Sequence, residues 1–161
     1  MRITLLESIH PDFSVLLSQA LELHLIKPKV LFNSSTGLPS DDRTVNEIIK
    51  DIHKTISPSE ATAGIILSSY PQNITQAQSL DIALARIGQP LSCALMVEST
   101  KTPQNRENKA LIRYYRTQNK LILVDETDNV SQICSKIRLI YGKRRSMDRT
   151  NANLIQTDTQ R

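Results

Sequence analysis

His10, Pro11 and Asp12 stand together near the start of the chain, where a carboxylate close to an imidazole can orient it across a short turn. A working site there would need a nucleophile or a further ligand, and the neighbouring sequence specifies neither. His24 and His53, the other two of the three histidines, fall within helical patterns. An imidazole so placed is more often solvated or hydrogen-bonded than catalytic. Cys93 and Cys134 lie in separate apolar segments, which points to buried thiols rather than a disulfide or a metal pair. No serine sits in a Gly-x-Ser-x-Gly context. The residue types therefore assign no catalytic group, no metal set and no cofactor. The remaining candidate is a basic cluster, Lys143, Arg144 and Arg145, with Arg138 upstream and Arg149 downstream.

That cluster belongs to a tail. The net charge is +4, and Lys143, Arg144, Arg145, Arg149 and Arg161 against Asp148 and Asp158 carry most of it. From residue 142 onward the sequence is polar and aperiodic, so a core over 1–141 and a disordered basic tail over 142–161 are expected. Two roles are open to the tail. It can be a solvated end that complements a helix dipole, or an arm that contacts RNA phosphates or an acidic protein surface. Stacking on single strands is disfavoured, because the chain has no Trp and only 4% aromatic residues.

The elements that position these residues alternate in type. Apolar, β-rich runs occur at 3–6, 30–32, 65–67, 94–97 and 121–124. Each is nearly all apolar, as in strands covered on both faces of a parallel sheet. Between them the spacing becomes helical: Phe13, Leu16, Leu17, Ala20 and Leu21, then Val45, Ile48, Ile49, Ile52 and Ile56. Ile74, Ala77, Leu80, Leu84 and Ile87 follow, then Leu111, Tyr114 and Tyr115. The last stripe is Val130, Ile133, Cys134, Ile137, Ile140 and Tyr141. Such stripes lay one face on a sheet and read as core. Pro11-Asp12 can open the first helix, Ser40-Asp41-Asp42 the second, and Gly88 sits where a helix-ending glycine is useful. The expected architecture is α/β, a three-layer sandwich on a five-stranded parallel sheet with right-handed crossovers.

At 161 residues the chain suits one domain with a real core. Its 39% hydrophobic and 22% charged residues are ordinary for globular proteins. No apolar run approaches the roughly 20 residues of a membrane span. Arg2, Glu7, Asp12 and Glu22 interrupt the N-terminal apolar stretch, so no secretory signal is expected. A cytoplasmic location and no membrane partner are the expectations.

In a sheet of this kind ligands bind beyond the carboxyl ends of the strands, in the strand-to-helix turns. The third turn reads Gly64-Ile-Ile-Leu-Ser-Ser-Tyr-Pro-Gln-Asn-Ile-Thr-Gln76-Ala-Gln-Ser-Leu-Asp81. It resembles the adenylate kinase signature Gly-Phe-Leu-Leu-Asp-Gly-Phe-Pro-Arg-Thr with its following Gln-Ala and Leu-Asp. Met1 to Leu6 resembles that family's opening strand. Leu38-Pro39-Ser40-Asp41 with Val45 to Lys50 resembles its Val-Pro-Asp stretch and the next helix. Leu111-Ile-Arg-Tyr-Tyr115 and then Leu121 to Asp125 resemble its closing helix and strand. These pieces, in family order, cover about two-thirds of the chain and imply a P-loop NTPase fold.

The chain departs from the family where phosphate is handled. Family members follow the first strand with a glycine-rich loop whose amides cradle phosphates, assisted by a lysine. Laid on that pattern without a gap, the stretch here is Glu7-Ser8-Ile9-His10-Pro11-Asp12-Phe13-Ser14-Val15 and holds no glycine. Glu7 falls on the first loop glycine and Phe13 on the lysine. Side chains crowd the anion nest, and Pro11 removes a donor. Glu7 and Asp12 put negative charge where phosphate would sit. Like charges ~4 Å apart repel by about 4 kcal/mol near a protein surface, enough to abolish ordinary triphosphate affinity. The family's metal-linked aspartate is Ser68 here, and its phosphate-binding arginine is Gln72. The lid is reduced to residues 99–109, with Arg106 unaligned, and the monophosphate-binding segment is short.

The resemblance thus implies a scaffold without its catalysis, because phosphoryl transfer rests on positioning and positive charge. It also leaves a vestigial nucleotide site: Gln76, on the glutamine that reads AMP's adenine in the family, with Tyr70 and Pro71 of the signature. Gln76 is either a remnant able to give weak adenosine or AMP binding, or an exposed polar residue in a first helical turn. The expected function is a non-catalytic interaction, structural or regulatory module with a protein partner. A divergent nucleoside-monophosphate kinase or nucleotide-binding protein is the alternative, and an RNA-associated module using the tail is a third.

Overall fold

The computed structural model describes residues 2–5, 12–29, 41–55, 64–98, 106–125 and 127–141. Five strands form one parallel sheet: β1 (Arg2–Leu5), β2 (Leu23–Ile26), β3 (Gly64–Ser68), β4 (Cys93–Glu98) and β5 (Leu121–Asp125). Their order is β2-β3-β1-β4-β5. Among the described residues five helices connect or follow them: α1 (Phe13–Leu21), α2 (Asp41–Thr55), α3 (Ile74–Arg86), α4 (Arg106–Thr117) and α5 (130–141). Among the described residues, no helix is long and apolar enough to cross a membrane.

Burial follows position in the sheet. In the inner strands β3 and β4 nearly every described side chain is buried, which explains their continuous apolar runs. The edge strands β2 and β5 are half-covered and alternate more. Ile65 and Leu67 face the layer of α2, α3 and α4, packing with Val45, Ile48, Ile52, Leu80, Leu84 and Tyr115. Ile3, Ile66, Leu95 and Val97 pack on the opposite side with Phe13, Leu17, Ile133 and Ile137 of α1 and α5. The sandwich expected from the alternation of elements is the observed one.

One strand differs. The expected strand at 30–32 lies outside the described residues, and the second strand is Leu23–Ile26, paired with β3 from Leu23↔Gly64 to Ile26↔Leu67. α1 ends at Glu22 in the left-handed conformation (φ 55°), which turns the chain directly into this strand. As an edge strand, Leu-His-Leu-Ile carries no continuous apolar run and is easily passed over. His24 therefore lies on an exposed strand position rather than in a helix, and His53 is exposed on α2. Leu16 was also expected in the core and is 51% exposed. The buried face of α1 is Phe13, Ser14, Leu17, Ser18 and Leu21, where small serines let the helix approach the sheet.

Helix ends match their signals. α1 follows Asp12 as N-cap, and α2 starts at Asp41 with Asp42 beside it, both favourable near a helix N-terminus. Gly88 (φ 67°) closes α3: its N–H donates to Ala85 and that of Gln89 to Leu84, two bonds that satisfy end carbonyls. Asn119 (φ 55°) closes α4 in the same way, with bonds from Asn119 to Arg116 and from Lys120 to Tyr115. Cys93 and Cys134 are buried thiols, and burial raises the pKa of Cys134.

Candidate functional site

The carboxyl ends of β1 and β3 lie side by side, and the turn after β3 is held over them. Ser69 takes a left-handed conformation (φ 57°), and the Tyr70–Pro71 peptide is cis. The Thr4 hydroxyl of β1 donates to the Tyr70 carbonyl, tying the turn to the neighbouring strand. Tyr70 and Pro71 are both buried, with the tyrosine ring in the core beneath α2 and α3. Burial first, and then the charges of Asp41 and Asp42, push the Tyr70 pKa up.

Gln76 sits at the centre of this turn and is 3% exposed, not the exposed polar residue that its place in a first helical turn allowed. Its backbone N–H donates to Asn73 Oδ1 (2.9 Å), which caps α3. Its side-chain Oε1 accepts from the Gln72 N–H (2.8 Å), and its Nε2 donates to Asp41 Oδ1 at the start of α2 (3.0 Å). The amide thus binds turn, α3 and α2 together, and both its acceptor and its donor are in use. Asp41 was legible only as the opening of a helix, and its bond to Gln76, like that of Thr4 to Tyr70, arises only through a long-range contact.

Phe13 opens α1 and is 5% exposed, packed in the apolar layer with Leu17, Leu21, Ile66 and Ile133. Asp12 beside it is exposed. Glu7, His10 and Pro11 lie outside the described residues, as do Lys143, Arg144 and Arg145. Among the described residues no group of three His, Cys, Asp or Glu side chains is placed to hold a metal.

A second locus lies between α3 and α4. The Tyr114 hydroxyl donates to Asp81 Oδ2 (3.0 Å), and Lys120 Nζ stands 3.7 Å from the same oxygen. Burial and the Asp81 charge raise the Tyr114 pKa. Tyr115 packs edge-on against Tyr114, with ring centroids 5.0 Å apart. Outside this pair runs an open groove of about 1040 Å³, lined by Ile74 and Gln78 of α3 and by Lys109, Arg113 and Arg116 of α4 among others.

One sequence comparison bears on this chain. The chain is 28% identical over 140 residues to an adenylate kinase of Oenococcus oeni, an alignment covering 72% of this chain and 73% of that one. The chain is adenylate-kinase-like. No family model matches it. Among solved structures, a de novo designed P-loop-fold protein determined by NMR covers 92% of each chain at 11% identity with a TM-score of 0.48. In this adenylate-kinase-like chain, Gln76 and Tyr70–Pro71 flank the same turn after β3. Phe13 packs in the apolar layer on the other side of the sheet from Tyr70.

Proposed function

We propose that this adenylate-kinase-like protein does not transfer phosphate and works as a protein-interaction module on a retained kinase scaffold. The observation that carries this is Phe13. A lysine at that position reaches toward the phosphates; the phenylalanine points into an apolar layer and has no charge to offer. Three further observations support the reading. The stretch 7–15 has no glycine and carries Glu7 and Asp12. Ser68 and Gln72 stand where the family has a metal-linked aspartate and a phosphate-binding arginine. The Gln76 amide, the group that would read adenine, is already bound to Gln72 and Asp41. Base recognition would first have to break those two bonds, each worth about 1 kcal/mol net and more when a partner is left buried.

The divergent-kinase reading draws on the similarity to an adenylate kinase. One experiment separates the two: a coupled assay with ATP·Mg²⁺ and each nucleoside monophosphate, beside thermal shifts with the same ligands. No turnover and no shift with ATP·Mg²⁺ are expected. Turnover above background by the purified chain would replace the module with an enzyme.

A further inference from the structure

Gln76 is not among the residues that line the α3–α4 groove, whose composition is unusual for this molecule. Lys109, Arg113 and Arg116 recur at i, i+4 and i+7, so they form one cationic row along α4, ~10 Å from first to last. All three are exposed. Several other helix cations stand beside carboxylates: Lys50 with Glu47, Lys54 with Asp51, Lys136 with Asp128. Among the described residues that line the groove there is no carboxylate. Asp81, behind Tyr114, is held by Tyr114 and Lys120. Beneath the row the lining turns apolar, with Ile74, Ala110, Ile112 and Tyr114.

We infer that this groove docks an acidic amphipathic segment of a partner protein, with carboxylates on the α4 cations and apolar side chains against the floor. The inference rests on the interaction-module reading and names the chemistry of its partner. Charge selects an anionic occupant, since a like-charged segment would be repelled and a neutral one would leave three cations unanswered. The apolar floor selects a peptide over a nucleic acid. Single-stranded RNA seeks aromatic platforms for its bases, and the one aromatic here, Tyr114, has its hydroxyl bound to Asp81 and its ring against Tyr115. The volume of about 1040 Å³, at the upper end of small-molecule pockets (about 300–1,000 Å³), leaves room for a chain segment.

The test uses the full chain and a labelled synthetic peptide with Glu at i, i+4 and i+7 and Leu on the intervening face, followed by fluorescence anisotropy. Its controls are the Gln-for-Glu peptide and an oligouridine of equal length. The acidic peptide is expected to bind, more weakly at higher salt, and the Gln peptide at least about tenfold less tightly. The triple variant K109E/R113E/R116E should lose at least about tenfold, while K143E/R144E/R145E in the tail changes affinity less than about twofold. The milder R113Q/R116Q serves if the triple variant melts early. Carbodiimide cross-linking on the unaltered chain should join the peptide to Lys109. Undiminished affinity in the folded variants, cross-links only to other lysines, absence of peptide binding, or tighter binding of oligouridine through the same residues would each overturn the assignment. These failures leave the non-catalytic reading standing, which falls only if the chain turns over ATP.

Discussion

At the scale of single residues, Gln76 and Phe13 are both buried parts of the scaffold. Gln76 joins three segments through three hydrogen bonds while 3% exposed. Gln76→Ala would strand the Gln72 N–H and one Asp41 oxygen. A loss of about 1–3 kcal/mol is expected in urea unfolding; an unchanged midpoint would mean that the amide is dispensable. Phe13→Lys introduces the residue type that the resemblance implies for this position, but into an apolar setting. Burying an ammonium where an aromatic ring packs should cost at least about 3 kcal/mol. Thermal shift should detect no gain of ATP·Mg²⁺ binding, and such a gain would show that the position can still face the loop.

At the scale of elements, the helix ends separate backbone from packing effects. Gly88 closes α3 at φ 67°, and a Cβ built there meets nothing within 4 Å. Substitution is therefore costly only through conformation. Gly88→Ala should destabilise by about 1 kcal/mol, and Gly88→Val by roughly 2, because a branched side chain tolerates the left-handed region least. Equal costs in equilibrium unfolding would point to another cause. α5 begins with Asn129, whose Oδ1 accepts from the Gln132 N–H while the Gln132 side chain accepts from the Asn129 N–H, both at 2.9 Å. Ahead of it, Lys136 first, and then the Asp125 N–H, hold the Asp128 carboxyl below the ordinary carboxylate range. A depressed folded-state pKa stabilises above the unfolded value, near ~4, and that contribution disappears as pH falls through the folded value. Melting temperature followed downward from neutral pH should therefore fall less steeply for Asp128→Asn than for the unaltered chain.

At the scale of the whole molecule, the sheet sets what lies together. The order β2-β3-β1-β4-β5 brings Thr4 beneath Tyr70 and leaves α3 and α4 flanking an open groove. The sequence by itself determined the parts with local causes. Near-continuous apolar runs marked β3 and β4, 3.6-residue stripes marked the helices, and Gly88 marked an end. The absence of glycine from 7–15 led to the expectation of a stretch unsuited to phosphate. It missed β2, because an edge strand need not be apolar on both faces, and it placed Leu16 inside when the buried side of α1 runs through Ser14 and Ser18. Only the tertiary structure decided strand order, the partners of Gln76 and the company of Lys109, Arg113 and Arg116. Each depends on contacts between residues far apart in the chain, such as Gln76 with Asp41, and periodicity carries no record of which distant elements will meet.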